Sequence, residues 1–97
     1  MPSYRVSLEI GIVKAGVDPA TLLPRAVNNL QQTTLVESNS VEIVAGVPMI
    51  RLRFLALHDR QAVTLADSMR EHVSTLASTG RMDVLARRGN RWQPARR

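Results

Sequence analysis

Residues 49–80, MIRLRFLALHDRQAVTLADSMREHVSTLASTG, change hydrophobic period midway, and that change decides the fold. From Met49 to His58 the residues alternate. Ile50, Leu52, Phe54 and Ala56 share one side, with Met49, Arg51, Arg53, Leu55 and Leu57 on the other, the period of two that gives a strand one buried face. After Asp59 the apolar spacing lengthens to three and four, so that Ala62, Leu65, Ala66, Met69, Val73, Leu76 and Ala77 form one stripe along a helix. Asp59 is the expected N-cap and Gly80 the expected stop. A strand therefore feeds directly into a long helix.

The same reading extends outward in both directions. Tyr4, Val6, Leu8, Ile10 and Ile12 alternate with Arg5, Ser7, Glu9 and Gly11, which predicts a first strand ending in Lys14-Ala15-Gly16-Val17. Asp18-Pro19 then supplies a cap acceptor and a proline at the first helical position. Leu22, Leu23, Ala26, Val27 and Leu30 carry helical spacing to about Gln32. Pro24 falls inside that run and predicts either a kink or a separate first turn. Thr33 to Val44 is rich in strand formers but interrupted by Ser38-Asn39-Ser40, as in an edge strand that is bulged or broken there. Ala45-Gly46-Val47-Pro48 reads as the hairpin connection to Met49. Near the end, Met82, Val84 and Ala86 alternate with Asp83, Leu85 and Arg87 as a last strand before Arg88-Gly89-Asn90-Arg91.

The order strand, helix, strand, strand, helix, strand resembles the ferredoxin-like superfold over nearly the whole chain. That resemblance implies an α+β, βαββαβ sandwich, with a four-stranded antiparallel sheet of order 4-1-3-2 and both helices on one face. Residues 1–88 form the single domain in this reading, and residues 89–97 a basic C-terminal tail. Small-molecule-binding ACT-like domains share the scaffold. In them the turn after the first strand contacts ligand; here that turn is Lys14 to Pro19, without a glycine directly after the proline.

Composition sets further bounds. Ninety-seven residues allow one core. The absence of cysteine excludes disulfides, thiolate catalysis and Cys-based zinc sites. No apolar run is long enough to span a bilayer, and Met1-Pro2-Ser3-Tyr4-Arg5 opens directly into alternation, so neither a membrane partner nor a signal peptide is expected and a cytoplasmic location is the default. Residues 1–80 carry seven basic and seven acidic side chains, whereas residues 81–97 carry six arginines against Asp83 alone. The net charge of +5 therefore lies entirely in the closing stretch.

Several chemistries fail on spacing. Gly11 to Gly16 has the spacing of a phosphate loop, but Val17-Asp18 stands where Lys and Ser/Thr are needed. Asp59 to His72 spans thirteen residues of the predicted helix, roughly 20 Å, so His58 and His72 are too far apart to share a metal. No nucleophile–base or paired-carboxylate set is visible, so no catalytic residue, metal ligand or cofactor is assigned. The predicted open face carries no aromatic on its two inner strands, which argues against base stacking of the RNA-recognition-motif kind.

Two groups remain as candidate binding residues. The first is the open sheet face: Arg5, Glu9, Met49, Arg51, Arg53, Leu55 and Leu57. The second is Arg87, Arg88, Arg91, Trp92, Arg96 and Arg97, suited to an acidic protein or to nucleic acid. Trp92 is the pivot, since packed back it straps the arginines to the domain, and exposed it would stack beside them. The leading expectation is a non-enzymatic binding or adaptor protein that self-associates as a homodimer, or docks a protein partner, through the open face. Two alternatives stay open: an ACT-like regulatory domain or dimeric α/β-barrel-type enzyme, and a structural component of a phage or host assembly.

Overall fold

A computed structural model describes residues 1–96; Arg97, counted above among the basic residues, lies outside them. The chain is α+β, with two α-helices and an open antiparallel sheet of five strands. Its elements are β1 (Ser3–Val13), a single 3-10 turn (Pro19–Thr21), α1 (Leu22–Gln31), β2 (Val36–Val44), β3 (Val47–Leu55), α2 (Asp59–Ser74), β4 (Ala77–Arg88) and β5 (Arg91–Pro94). The sheet order is β2-β3-β1-β4-β5. The four expected strands keep their expected neighbours, and the expected four-stranded sheet is corrected to five because residues 91–94 pair with β4.

The core forms where the two periods meet. Tyr4, Val6, Leu8 and Ile10 of β1 and Ile50, Leu52 and Phe54 of β3 are buried against Leu22, Ala26 and Leu30 of α1 and Ala62, Ala66, Met69 and Val73 of α2. Full burial of each large apolar side chain stabilises the fold by roughly 1.5–3 kcal/mol. Alanines at 26, 62 and 66, all 0% exposed, let the helix backbones approach the sheet closely.

Both proline-containing starts follow local chemistry. Asp18 Oδ1 accepts the Ala20 N–H (3.0 Å) and caps the 3-10 turn, and α1 restarts at Leu22. Pro24 then sits in the first turn of α1, where a backbone N–H would have no intrahelical acceptor. The separate first turn, not the kink, is what forms.

Four local expectations are corrected. The N-cap of α2 is His58, whose Nδ1 accepts the Gln61 N–H (3.1 Å), which leaves Asp59 free for other partners. The helix ends at Ser74, so Leu76 and Ala77, which fit the helical stripe, are buried at the entry to β4 instead. Gly80 is not a stop but an interior residue of β4. A Cβ there would approach Glu9 Cβ to 3.2 Å and Glu9 Oε2 to 2.6 Å, so a larger residue would require the Glu9 side chain to shift. Lastly, Ile12 is 81% exposed, because the β1–β4 register shifts between Leu8 and Ile10 and again before Val13. The first shift places an extra residue in β4 and the second an extra residue in β1, so the register is restored by Val13↔Ala77.

The turns explain the two hairpins. Ala45 and Gly46 connect β2 to β3 with φ of 52° and 81°, the positive pair required by a two-residue hairpin turn. Gly89, φ 63°, opens the two-residue turn between β4 and β5, in which only the first residue has positive φ. Ala45 is the only non-glycine at positive φ among the described residues, where a Cβ costs about 1 kcal/mol. Ala45→Asn is expected to raise stability by about 0.5 kcal/mol, seen as a higher urea midpoint at unchanged slope. An unchanged or lower midpoint would show that the turn is not strained there.

Candidate functional site

The functional candidates meet on the sheet face that the helices leave open. Arg5 of β1 stands between Arg53 of β3 and Leu85 of β4; Ser7 stands between Arg51 and Asp83. Because side chains alternate, this places Arg5, Ser7, Glu9, Met49, Arg51, Arg53, Asp83, Leu85 and Arg87 on one surface. β5 adds Trp92, which is paired with Arg87. Leu57 is not brought there: it lies beyond the end of β3, in the loop leading to α2, and is 62% exposed. Met49 and Leu55 lie near opposite ends of β3 and are half-buried, so they form no joined apolar patch.

Trp92 organises the arginines. The Arg5 guanidinium carbon lies 4.9 Å from the indole centroid, that of Arg53 5.5 Å and that of Arg87 5.9 Å, all within cation–π range. The indole is half-buried over the sheet. Carboxylates answer some of the charge. Arg51 pairs with Glu42 and donates from Nε to Ser7 Oγ (3.2 Å); Arg81 pairs with Asp83 (3.2 Å). Arg53 Nε lies 3.3 Å from Glu37 Oε1, an ion pair without the alignment of a hydrogen bond, and that Nε is buried.

Arg5 differs from its neighbours. Its Nε is buried with no hydrogen-bond partner, and its guanidinium lies over the indole. Burial, followed by the nearby Arg51, holds its guanidinium below the ordinary arginine range, while Glu42 opposes that shift. Two hollows flank it. One of about 520 Å³ runs along Ser7, Glu9, Arg51, Arg81 and Asp83, and one of about 360 Å³ lies among Ser38, Ser40, Arg53 and Trp92. The arrangement offers hydrogen-bond donors and positive charge on a partly desolvated floor, the setting in which a phosphate or carboxylate gains most from a guanidinium.

Arg88, Arg91 and Arg96 are separated from this face. Arg88 donates from Nη2 to Asp59 Oδ2 (2.7 Å), and the Arg96 backbone N–H donates to the same oxygen (2.9 Å). Tyr4 Oη donates to Asp59 Oδ1 (2.7 Å). These donors hold the Asp59 carboxyl below the usual range, the Arg96 N–H contributing most. The Tyr4 hydroxyl is pushed up to about 12, mainly by burial and then by Asp59. Arg91 lies opposite Arg88 and is exposed. Asp59 is a residue that sequence reasoning assigned differently, as a helix cap, because the groups that claim it are 29 to 55 positions away.

The Lys14–Pro19 turn borders a different hollow, on the helix side of the sheet. It holds about 440 Å³, lined by apolar residues including Ile10, Pro19, Leu23, Pro24, Val41 and Pro48. Among the described residues no three His, Asp or Glu side chains gather as a metal site would need, and no helix is long and apolar enough to cross a membrane. Comparison with protein-family models and with curated proteins finds no match to this chain.

The Asp59 contacts carry a pH signature. A carboxylate whose folded pKa is depressed stabilises the fold above its unfolded value, near 4, and loses that contribution as pH falls through the folded value. Stability should therefore drop below about pH 4, and Asp59→Asn should flatten that drop while lowering stability at pH 7 by about 1–3 kcal/mol. Equilibrium urea unfolding of both proteins across pH 2.5–7 checks this. Parallel curves would remove Asp59 as the group responsible.

Proposed function

We propose that the chain is a ferredoxin-like domain, lengthened by β5, that binds single-stranded nucleic acid across its open sheet face. The observation that carries the reading is the cluster of Arg5, Arg53 and Arg87 around Trp92, with Arg5 Nε buried and unpartnered. A polyanion satisfies those donors. The indole supplies the aromatic surface that the two inner strands lack, and a single strand, unlike a duplex, can lay bases against it. Arg51 and Arg81, already paired with Glu42 and Asp83, line the path without adding free charge. Phosphates attract the arginines regardless of sequence, so binding is non-enzymatic and weakly selective among bases.

Arg5 and Arg87, the cluster arginines not paired with a carboxylate, give two phosphate contacts on a single strand and predict a log–log salt slope of about −1.4. The test is fluorescence polarisation of a labelled oligothymidine, about a dozen nucleotides long to cover one sheet face, titrated with the full chain at several salt concentrations. Binding with that slope is expected. Arg5→Ala should weaken it severalfold and make the slope shallower by about 0.7, with the circular dichroism of the fold unchanged. Absence of binding at low salt, or a slope that Arg5→Ala leaves unaltered, would overturn the proposal.

A further inference from the structure

The two edges of the sheet are managed differently. β5 is a guarded edge: four residues long, with Arg91 at its start and Pro94 at its end. β2 is more than twice that length, and its outer side is unpaired among the described residues. A bulge between Val36 and Ser38 protects only its first part. From Ser38 to Val44 there is neither proline nor lysine, and the single charge, Glu42, is engaged by Arg51 of the neighbouring strand.

The same segment carries the molecule's main exposed apolar surface. Val41 is 55% exposed, Ile43 65%, Val44 46% and Val47 37%. Val41 stands opposite the buried Ile50, which puts it on the helix side of the sheet, at the rim of the 440 Å³ hollow. Ile43 shares that side of the edge with Val41, whereas Val44 and Val47 project to the open face.

We infer that β2 is the dimer interface of this protein, pairing antiparallel with β2 of a second copy to make one continuous ten-stranded sheet. The register follows from side-chain chemistry. Keeping the core-side residues on one face requires partners of equal parity, and a dyad at Glu42 would set two carboxylates face to face. A dyad at Val41 sets Val41 against Val41, Ser40 against Glu42 and Asn39 against Ile43, with no like charges opposed. Seven paired residues span roughly 20 Å. The pairing satisfies the unpaired backbone of the edge and covers the exposed Val41 and Ile43 side chains of both copies. The two hollows are brought to either side of the dyad, and the open arginine face stays free, so this inference is independent of the nucleic-acid reading.

The test uses the chain's lack of cysteine. Residues facing each other in an antiparallel ladder have Cα atoms about 4.5–5.5 Å apart, within disulfide range. Val41→Cys should therefore give a disulfide-linked dimer on mild oxidation, whereas Ser68→Cys, exposed on α2, should not. Sedimentation of the wild-type chain without nucleic acid should show a dimer, and Val41→Lys should shift it to a monomer with unchanged circular dichroism. A wild-type monomer, a dimer that survives Val41→Lys, or failure of Val41→Cys to crosslink above the Ser68→Cys background would overturn the inference. So would an apolar peptide or small molecule occupying the groove of a chain that stays monomeric.

Discussion

The Asp59 carboxylate, at the first position of α2, accepts hydrogen bonds from three separate parts of the chain: the Tyr4 hydroxyl on β1, the Arg88 guanidinium at the end of β4, and the Arg96 N–H just beyond β5. Each is charge-assisted, and two of the donors fix the chain on either side of the β4–β5 hairpin. β5 has only four residues and could not hold itself against the sheet through backbone pairing alone. With both flanks tied to Asp59, and Ala95 N–H donating to Val84 O (2.9 Å), the strand is held and the alternation of its side chains is decided. Trp92 falls on the open face while its neighbours face the other way. The basic cluster thus depends on a carboxylate on the opposite side of the sheet.

That arrangement also redistributes charge. Six arginines against one aspartate in the last seventeen residues suggest a single electrostatic tail. In the folded chain Arg81 pairs with Asp83, Arg88 with Asp59, and Arg87 joins Arg5 and Arg53 around the indole. The candidate surface is therefore composite, drawing on β1, β3, β4 and β5, and its most distinctive member is Arg5, near the N-terminus. Its buried Nε, without a hydrogen-bond partner, is a local cost to the fold.

Much of this was legible in the sequence, for identifiable reasons. β1 and β3 alternate cleanly because they are inner strands with one face on the core, and burial leaves no freedom in the period. The central part of α2 was readable for the same reason. Its end was not, since Leu76 and Ala77 are apolar for a helix stripe and for a buried strand entry alike. Gly80 gives the signal of a helix stop, yet it lies inside β4, beside Glu9. The phase of Ile12 was lost to two compensating register shifts against β4, which the periodicity of β1 alone does not reveal. For β5 the only local signal was Gly89-Asn90 between Arg88 and Arg91, a two-residue turn ahead of a lone tryptophan. The open-face residues of β1 and β3 were placed correctly together, apart from Leu57, which lies beyond the end of β3. The cluster around Trp92 was not foreseen, because it is assembled by a hydrogen-bond network with no sequence periodicity.

The measurement that bears most directly on this account is the set of nuclear Overhauser contacts from the Trp92 indole in the full chain at neutral pH. The account predicts contacts to the side-chain methylenes of Arg5 and Arg53, with those methylenes shifted upfield by the ring, and loss of both effects in Asp59→Ala. An indole at random-coil shifts with no contact to Arg5 would contradict it.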